Sequence, residues 1–198
     1  MKTVPTVVML SGSGRTLDNL LHHINEHGLP IRIIQVISSR TGVRGLEIAQ
    51  QANIPTHVLR RKDFADLESF SEANFQICRQ HHAGLVCLAG YLQLLKIPSD
   101  YHQKVVNIHP SLLPAFGGKG MYGHHVHEAV IASGIKVSGC TVHYVDDQFD
   151  HGPVIYQQTV PVEPGDSPEL LADRVFAAEC EAYPVALRQL VTELLSHE

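Results

Sequence analysis

Asn107 and His109 stand two positions apart in Val105-Val106-Asn107-Ile108-His109-Pro110-Ser111-Leu112-Leu113-Pro114. In a strand, residues i and i+2 project to the same side. An amide and an imidazole can therefore point together past the strand's C-terminal end, and the two prolines that follow force a stiff, irregular loop. In open α/β sheets ligands bind at that edge. An amide donor beside an imidazole suits a carbonyl oxygen that is gaining negative charge. Taken alone, the segment is more simply read as an Asn and a His capping a strand end; other stretches change that balance.

The turn Ser11-Gly12-Ser13-Gly14-Arg15-Thr16 offers clustered backbone N–H groups at a helix start, which suits a phosphate. It is not a dinucleotide fingerprint, because Leu17 stands where a third glycine would fall and Ser38-Ser39-Arg40 closes the second strand without an acid. Nor does a Gly-Lys-Ser/Thr follow, so a monophosphate is the better functional reading and a plain tight turn the structural one. Leu88-Ala89-Gly90-Tyr91-Leu92-Gln93-Leu94-Leu95 combines small residues that admit a ligand with apolar ones that could wall a flat heterocycle or simply pack the core. Asp150-His151-Gly152-Pro153 ends an acidic turn whose carboxylate could orient His109 and favour its cationic form, although Asp-Gly-rich turns are common. His124 and His127 share a helix face, but the spacing is not HExxH and no carboxylate partner is evident. A solvated helix start is expected there, and no metal.

The elements that must position these groups follow from hydrophobic periodicity. Strands are predicted over 6–10, 31–37, 56–59 and 84–88, with helices from Leu17 to near Gly28, over 45–52 and over about 66–80. The wholly apolar run Gly84-Leu85-Val86-Cys87-Leu88 implies burial on both faces and a parallel sheet. After the Asn107/His109 strand come a Gly-rich loop over 117–123, a helix through Ala132, and strands over 137–145 and 153–160 joined by Asp146-Asp147-Gln148-Phe149-Asp150. A long helix starts at Ser167, with Pro168 in its first position. The expectation is an α/β, Rossmann-like, mostly parallel twisted sheet with helices on both faces and an antiparallel C-terminal hairpin. It would form one domain over 1–198, with a phosphate-binding half (1–104) and a second half (105–198) that carries Asn107, His109 and Asp150.

A chain of 198 residues can bury a real core, and its net charge of −5 argues against a nucleic-acid or anionic-membrane footprint. The fourteen histidines are scattered. The four cysteines lack CxxC or zinc-like spacing and read as free thiols in a reducing cytoplasm. The first apolar run is too short for a signal sequence, and no stretch reaches the length of a membrane span. A soluble cytoplasmic protein is expected.

Together these stretches, with Val142-His143-Tyr144-Val145 and the 174–184 helix carrying Glu179, resemble the folate-dependent formyltransferases, and within them the branch that formylates glycinamide ribonucleotide. The resemblance implies direct attack of the glycinamide amine on the formyl carbon of 10-formyltetrahydrofolate, the co-substrate, with no metal. Asn107 and a protonated His109 would stabilise the oxyanion, and Asp150 would keep His109 charged and help remove a proton. Gly14, Arg15 and Thr16 would hold the substrate phosphate, Glu179 the ribose hydroxyls, and the backbone at Gly90 and Leu92, with Pro110 nearby, the glycinamide end. The pterin would sit against Leu92, Gln93, Leu94 and Leu95, bounded by Asn107 and the loop of Asp146, Asp147 and Asp150. Partners would be small molecules only, and the chain a monomer or weak homodimer.

Three positions depart from the family pattern: Thr16 where Asn is common, Gln93 where a basic residue is frequent, and a longer 117–123 loop whose glycines suggest a mobile flap. Rival readings are another amine acceptor such as an amino-sugar nucleotide, hydrolysis of 10-formyltetrahydrofolate, and a non-catalytic nucleotide- or folate-binding module.

Overall fold

Period-2 alternation in the first strand already splits the core in two. In the computed structural model, which describes residues 2–196, β1 (Val4–Leu10) sends Val8 and Leu10 into one buried cluster and Val7 and Met9 into another. A strand that buries both faces must lie in the middle of a covered sheet. β4 (Leu85–Leu88), buried at every position, lies beside it.

The remaining elements are α1 (Arg15–His27), β2 (Ile31–Ser38), α2 (Arg44–Gln51), β3 (Thr56–Val58), α3 (Leu67–Gln80), β5 (Val105–His109), α4 (His124–Ser133), β6 (Val137–Tyr144), β7 (Val154–Pro161) and α5 (Pro168–Ser196). They build one seven-stranded sheet in the order β3-β2-β1-β4-β5-β6-β7. Pairings are parallel through β5, and β5·β6 and β6·β7 are antiparallel. The expected α/β class, the mostly parallel sheet and the antiparallel hairpin are all present. No helix among the described residues is long and apolar enough to cross a membrane, and all four cysteines are free.

Strand order reverses between β1 and β4, so the loops leaving their C-terminal ends diverge and open a crevice. Ser11 ties its two walls together: its N–H donates to the Gly90 carbonyl (3.0 Å), and its Oγ accepts from the Leu92 N–H (2.9 Å). From the other side α5 is pinned to the sheet. The Tyr183 hydroxyl is placed 3.1 Å from the Leu88 carbonyl and 3.2 Å from that of Val106. Pro184, inside this helix, has no N–H to give the Cys180 carbonyl. Asn19 Nδ2 of α1 donates to that carbonyl instead, at 2.9 Å, so the helix continues and α1 is joined to α5.

Candidate active site

The β5·β6 register sets Asn107 directly opposite His143. Asn107 Nδ2 lies 3.1 Å from His143 Nε2, and His143 Nδ1 lies 2.8 Å from the Tyr144 carbonyl. A carbonyl only accepts, so His143 carries its proton on Nδ1 and offers Nε2 to the Asn107 amide. The amide is thus held by one N–H, which leaves the other for a second acceptor. His109, at the end of β5, is held in the same manner. Its Nε2 lies 2.9 Å from the Phe116 carbonyl. Phe116 stands in the left-handed region (φ 54°), an unfavourable conformation for a bulky residue, and this backbone turn belongs to the loop that reaches His109.

The other side of each donor faces the same atom. His109 Nδ1 lies 3.4 Å and Asn107 Nδ2 3.5 Å from Asp150 Oδ1. Both contacts are long, whereas Asp150 Oδ2 accepts a firm 3.0 Å bond from the Gly118 N–H. Both ring nitrogens of His109 therefore face acceptors, and only a doubly protonated ring makes both contacts. Burial alone would raise the Asp150 carboxyl. The His109 imidazole and the Gly118 N–H outweigh it and hold the group well below the usual carboxylate range. The result is a buried cluster (His109 3% exposed, His143 1%) with two anchored donors facing one oxygen of an ionised carboxylate.

This cluster forms one end of a crevice of about 680 Å³, which Arg15, Thr16, Gly90, Leu92, Pro110 and Glu179 also line. At the far end α1 begins without a side-chain cap, leaving its first-turn N–H groups to other acceptors. Gly14 does not line the crevice but shapes this turn. It has φ 74°, and a Cβ there would lie 2.5 Å from the Gly45 Cα. Glu179, half-buried in the wall, is pushed up to about 8 by desolvation, with Arg15 pulling the other way.

A much smaller cleft adjoins the cluster on the opposite side, lined by Gln93, Leu94 and Leu95 together with Asn107, His143 and Asp150. Leu95 is 1% exposed and supports this cleft from the core. Asp146 and Asp147 line neither cavity. Asp147 accepts from the Ile97 N–H (2.9 Å) and Lys96 Nζ (3.2 Å), and Asp146 from the Gln148 N–H (2.9 Å), with His151 Nδ1 2.7 Å away. They fasten the loop that carries Asp150.

Two expectations about the α4 histidines need correction. His124 does meet carboxylates, Glu128 Oε1 at 3.3 Å and Glu169 Oε1 at 3.5 Å. His127 is not solvated, because the inward face of α4 buries it to 4% exposure with Nδ1 unpartnered. Among the described residues no group of three or more His, Cys, Asp or Glu is placed to hold a metal. The 117–123 loop forms a wall of the crevice, tethered through Gly118 to Asp150 and through Met121, whose N–H donates to the Gly118 carbonyl (3.0 Å). Sequence reasoning missed the anchors: His143, the Phe116 carbonyl and the Gly118 N–H. Strand alternation in Val142-His143-Tyr144 marks His143 as facing one side, but only the register across β5·β6 brings it to Asn107.

Comparison with known proteins gives a consistent picture. A family model described as formyl transferase matches residues 4–187. The chain is 37% identical over 187 residues to a trifunctional purine biosynthetic protein adenosine-3 from Gallus gallus, covering 93% of this chain but only 18% of that protein. It is 33% identical to the chloroplastic phosphoribosylglycinamide formyltransferase of Arabidopsis thaliana, covering 89% of this chain and 61% of that one. Among solved structures, glycinamide ribonucleotide transformylase 1 from Symbiobacterium toebii superposes with a TM-score of 0.87 at 37% identity, covering 94% of this chain and 86% of that one. Phosphoribosylglycinamide formyltransferase from Brucella melitensis superposes with 0.85 at 38% identity, covering 95% of each.

Proposed function

The chain belongs to the formyl transferase family, and we propose that it transfers the formyl group of 10-formyltetrahydrofolate to the amine of glycinamide ribonucleotide, a step of purine biosynthesis. The observation that carries this reading is the convergence of Asn107 Nδ2 and His109 Nδ1, each fixed from behind, on the single oxygen Asp150 Oδ1, through contacts long enough to be given up to a substrate oxyanion. Donors already in place where charge develops require no reorganisation during the reaction.

The acceptor amine attacks the formyl carbon, making the new C–N bond while the carbonyl π pair moves onto oxygen. Asn107 and the His109 imidazolium hold that oxyanion. The attacking nitrogen, now positively charged, passes a proton to a water ordered by Asp150, which itself stays ionised. The same water relays that proton to the folate nitrogen as its bond to carbon breaks, and the oxyanion collapses to the new formamide. No acyl-enzyme is needed, so much of the acceleration is positional.

The crevice supports the placement of the acceptor. Its phosphate lies against the N–H groups of the turn shaped by Gly14 and continued by Arg15 and Thr16, and its ribose hydroxyls meet Glu179. The glycinamide end lies along Gly90, Leu92 and Pro110. Because the Leu92 N–H is already engaged with Ser11 Oγ, this stretch offers the amine carbonyl oxygens. The pterin of the folate takes the smaller cleft beside Leu92, Gln93, Leu94 and Leu95. Asp146 and Asp147 act there only by holding the loop of Asp150. Four free thiols suit a reducing, cytoplasmic setting, and the partners are small molecules.

The test is formyl transfer measured with and without glycinamide ribonucleotide. We expect His109→Ala to bind folate yet lose at least about a hundredfold in kcat. Undiminished turnover would remove the role given to His109, and formate released without any acceptor would make the chain a hydrolase.

A further inference from the structure

Arg15 does not extend freely into solvent. Its guanidinium carbon lies 3.6 Å from the centroid of the Phe176 ring, well inside the ~6 Å range of a cation–π contact. Its ion pair with Asp173, at 3.9 Å, joins side chains that are 52% and 77% exposed and is screened by solvent. The ring is therefore what fixes the guanidinium. Phe176 and Glu179 are three residues apart on α5 and share its inward face, and both line the crevice with Arg15. A guanidinium held over a ring keeps its N–H groups available to an anion, and Arg15 is itself the first residue of the uncapped turn of α1.

We propose that Phe176 is a positioning residue that parks the Arg15 side chain as a clamp on the phosphate monoester of the acceptor. The anion subsite then combines the first-turn N–H groups of α1 with a pre-ordered side-chain cation. The inference rests on the acceptor reading above. Arginine loses side-chain freedom when it binds an anion, and the stack removes much of that freedom beforehand. The benefit falls on substrate affinity rather than on the chemical step.

The experiment is calorimetric binding of ribose 5-phosphate to the full chain and to Phe176→Leu, Phe176→Tyr, Arg15→Ala and the Phe176→Leu/Arg15→Ala pair, with melting temperatures alongside. Phe176→Leu is expected to weaken binding about tenfold, equivalent to about 1.4 kcal/mol, and Phe176→Tyr to restore it. Once Arg15 is truncated, Phe176→Leu should cost less than about twofold more, since its effect runs through that side chain. With the full acceptor, the same variant should raise KM and leave kcat in place. Equal weakening in both backgrounds, or none in the native one, overturns the clamp, as does failure of the native chain to bind ribose 5-phosphate. If the binding pattern holds but no formyl transfer to glycinamide ribonucleotide occurs, the acceptor reading fails and the clamp stands.

Discussion

The two ends of the crevice are built on different physical terms. At the catalytic end, strand-borne Asn107 and His109 are fixed from behind by His143 and the Phe116 carbonyl, and Asp150 by the Gly118 N–H. At the proposed phosphate end the groups sit at helix starts and faces, Arg15 is half in solvent, and the first-turn N–H groups of α1 have no side-chain cap. Stabilising a transient oxyanion requires dipoles that do not reorganise and water that stays out. A phosphate dianion brings a full charge in the ground state and can be held by donors that remain wet. The contrast predicts that lesions at one end lower kcat and lesions at the other raise KM.

The largest test of that contrast is Asp150→Asn. Without the carboxylate, His109 loses its charged neighbour and the amine the group that orders its proton relay. Stopped-flow or steady-state assays should show kcat down by at least about a hundredfold with phosphate-ligand affinity unchanged. His143→Ala comes next. It frees the Asn107 amide to rotate and should lower kcat between about tenfold and a hundredfold, with partial recovery in His143→Gln, which can still accept a hydrogen bond. If KM moves instead, the division between the two ends is wrong.

Gly14→Ala strikes the other end. The left-handed backbone alone costs about 1–2 kcal/mol, and the new Cβ must also push α2 away at Gly45. Phosphate affinity and thermal stability should both fall, and kcat at saturation should not. The smallest effect is a pH slope. Glu179 titrates near 8 in the folded chain against an ordinary 4.5, so between those values the folded state keeps a proton that the unfolded state has released. Stability should decline as pH rises through that window, and Glu179→Gln should flatten the decline in melting temperature.

Much of the scaffold was readable from period and punctuation. Alternating βα units fixed a parallel sheet, and the Asn107/His109 spacing put two polar groups on one side of a strand end. Legibility stopped where a role depends on what lies across from a residue. His143 matters because of its register with Asn107, and Phe176 because α5 turns its ring under Arg15. Neither relation leaves a mark in local composition. The acidic residues Asp146 and Asp147 are engaged with Lys96, Ile97, Gln148 and His151, contacts that no local pattern announces. His127 looks like a surface histidine because α4 has weak amphipathic contrast, and only packing shows which side is inward.

The central claim is met most directly by a crystal structure with a tetrahedral analogue of the formyl group on a folate and a phosphate-bearing acceptor analogue. The account predicts the analogue's oxyanion within about 2.7–3.1 Å of both Asn107 Nδ2 and His109 Nδ1, next to Asp150 Oδ1. An oxyanion bound elsewhere, with those two donors still turned to the carboxylate, would contradict it.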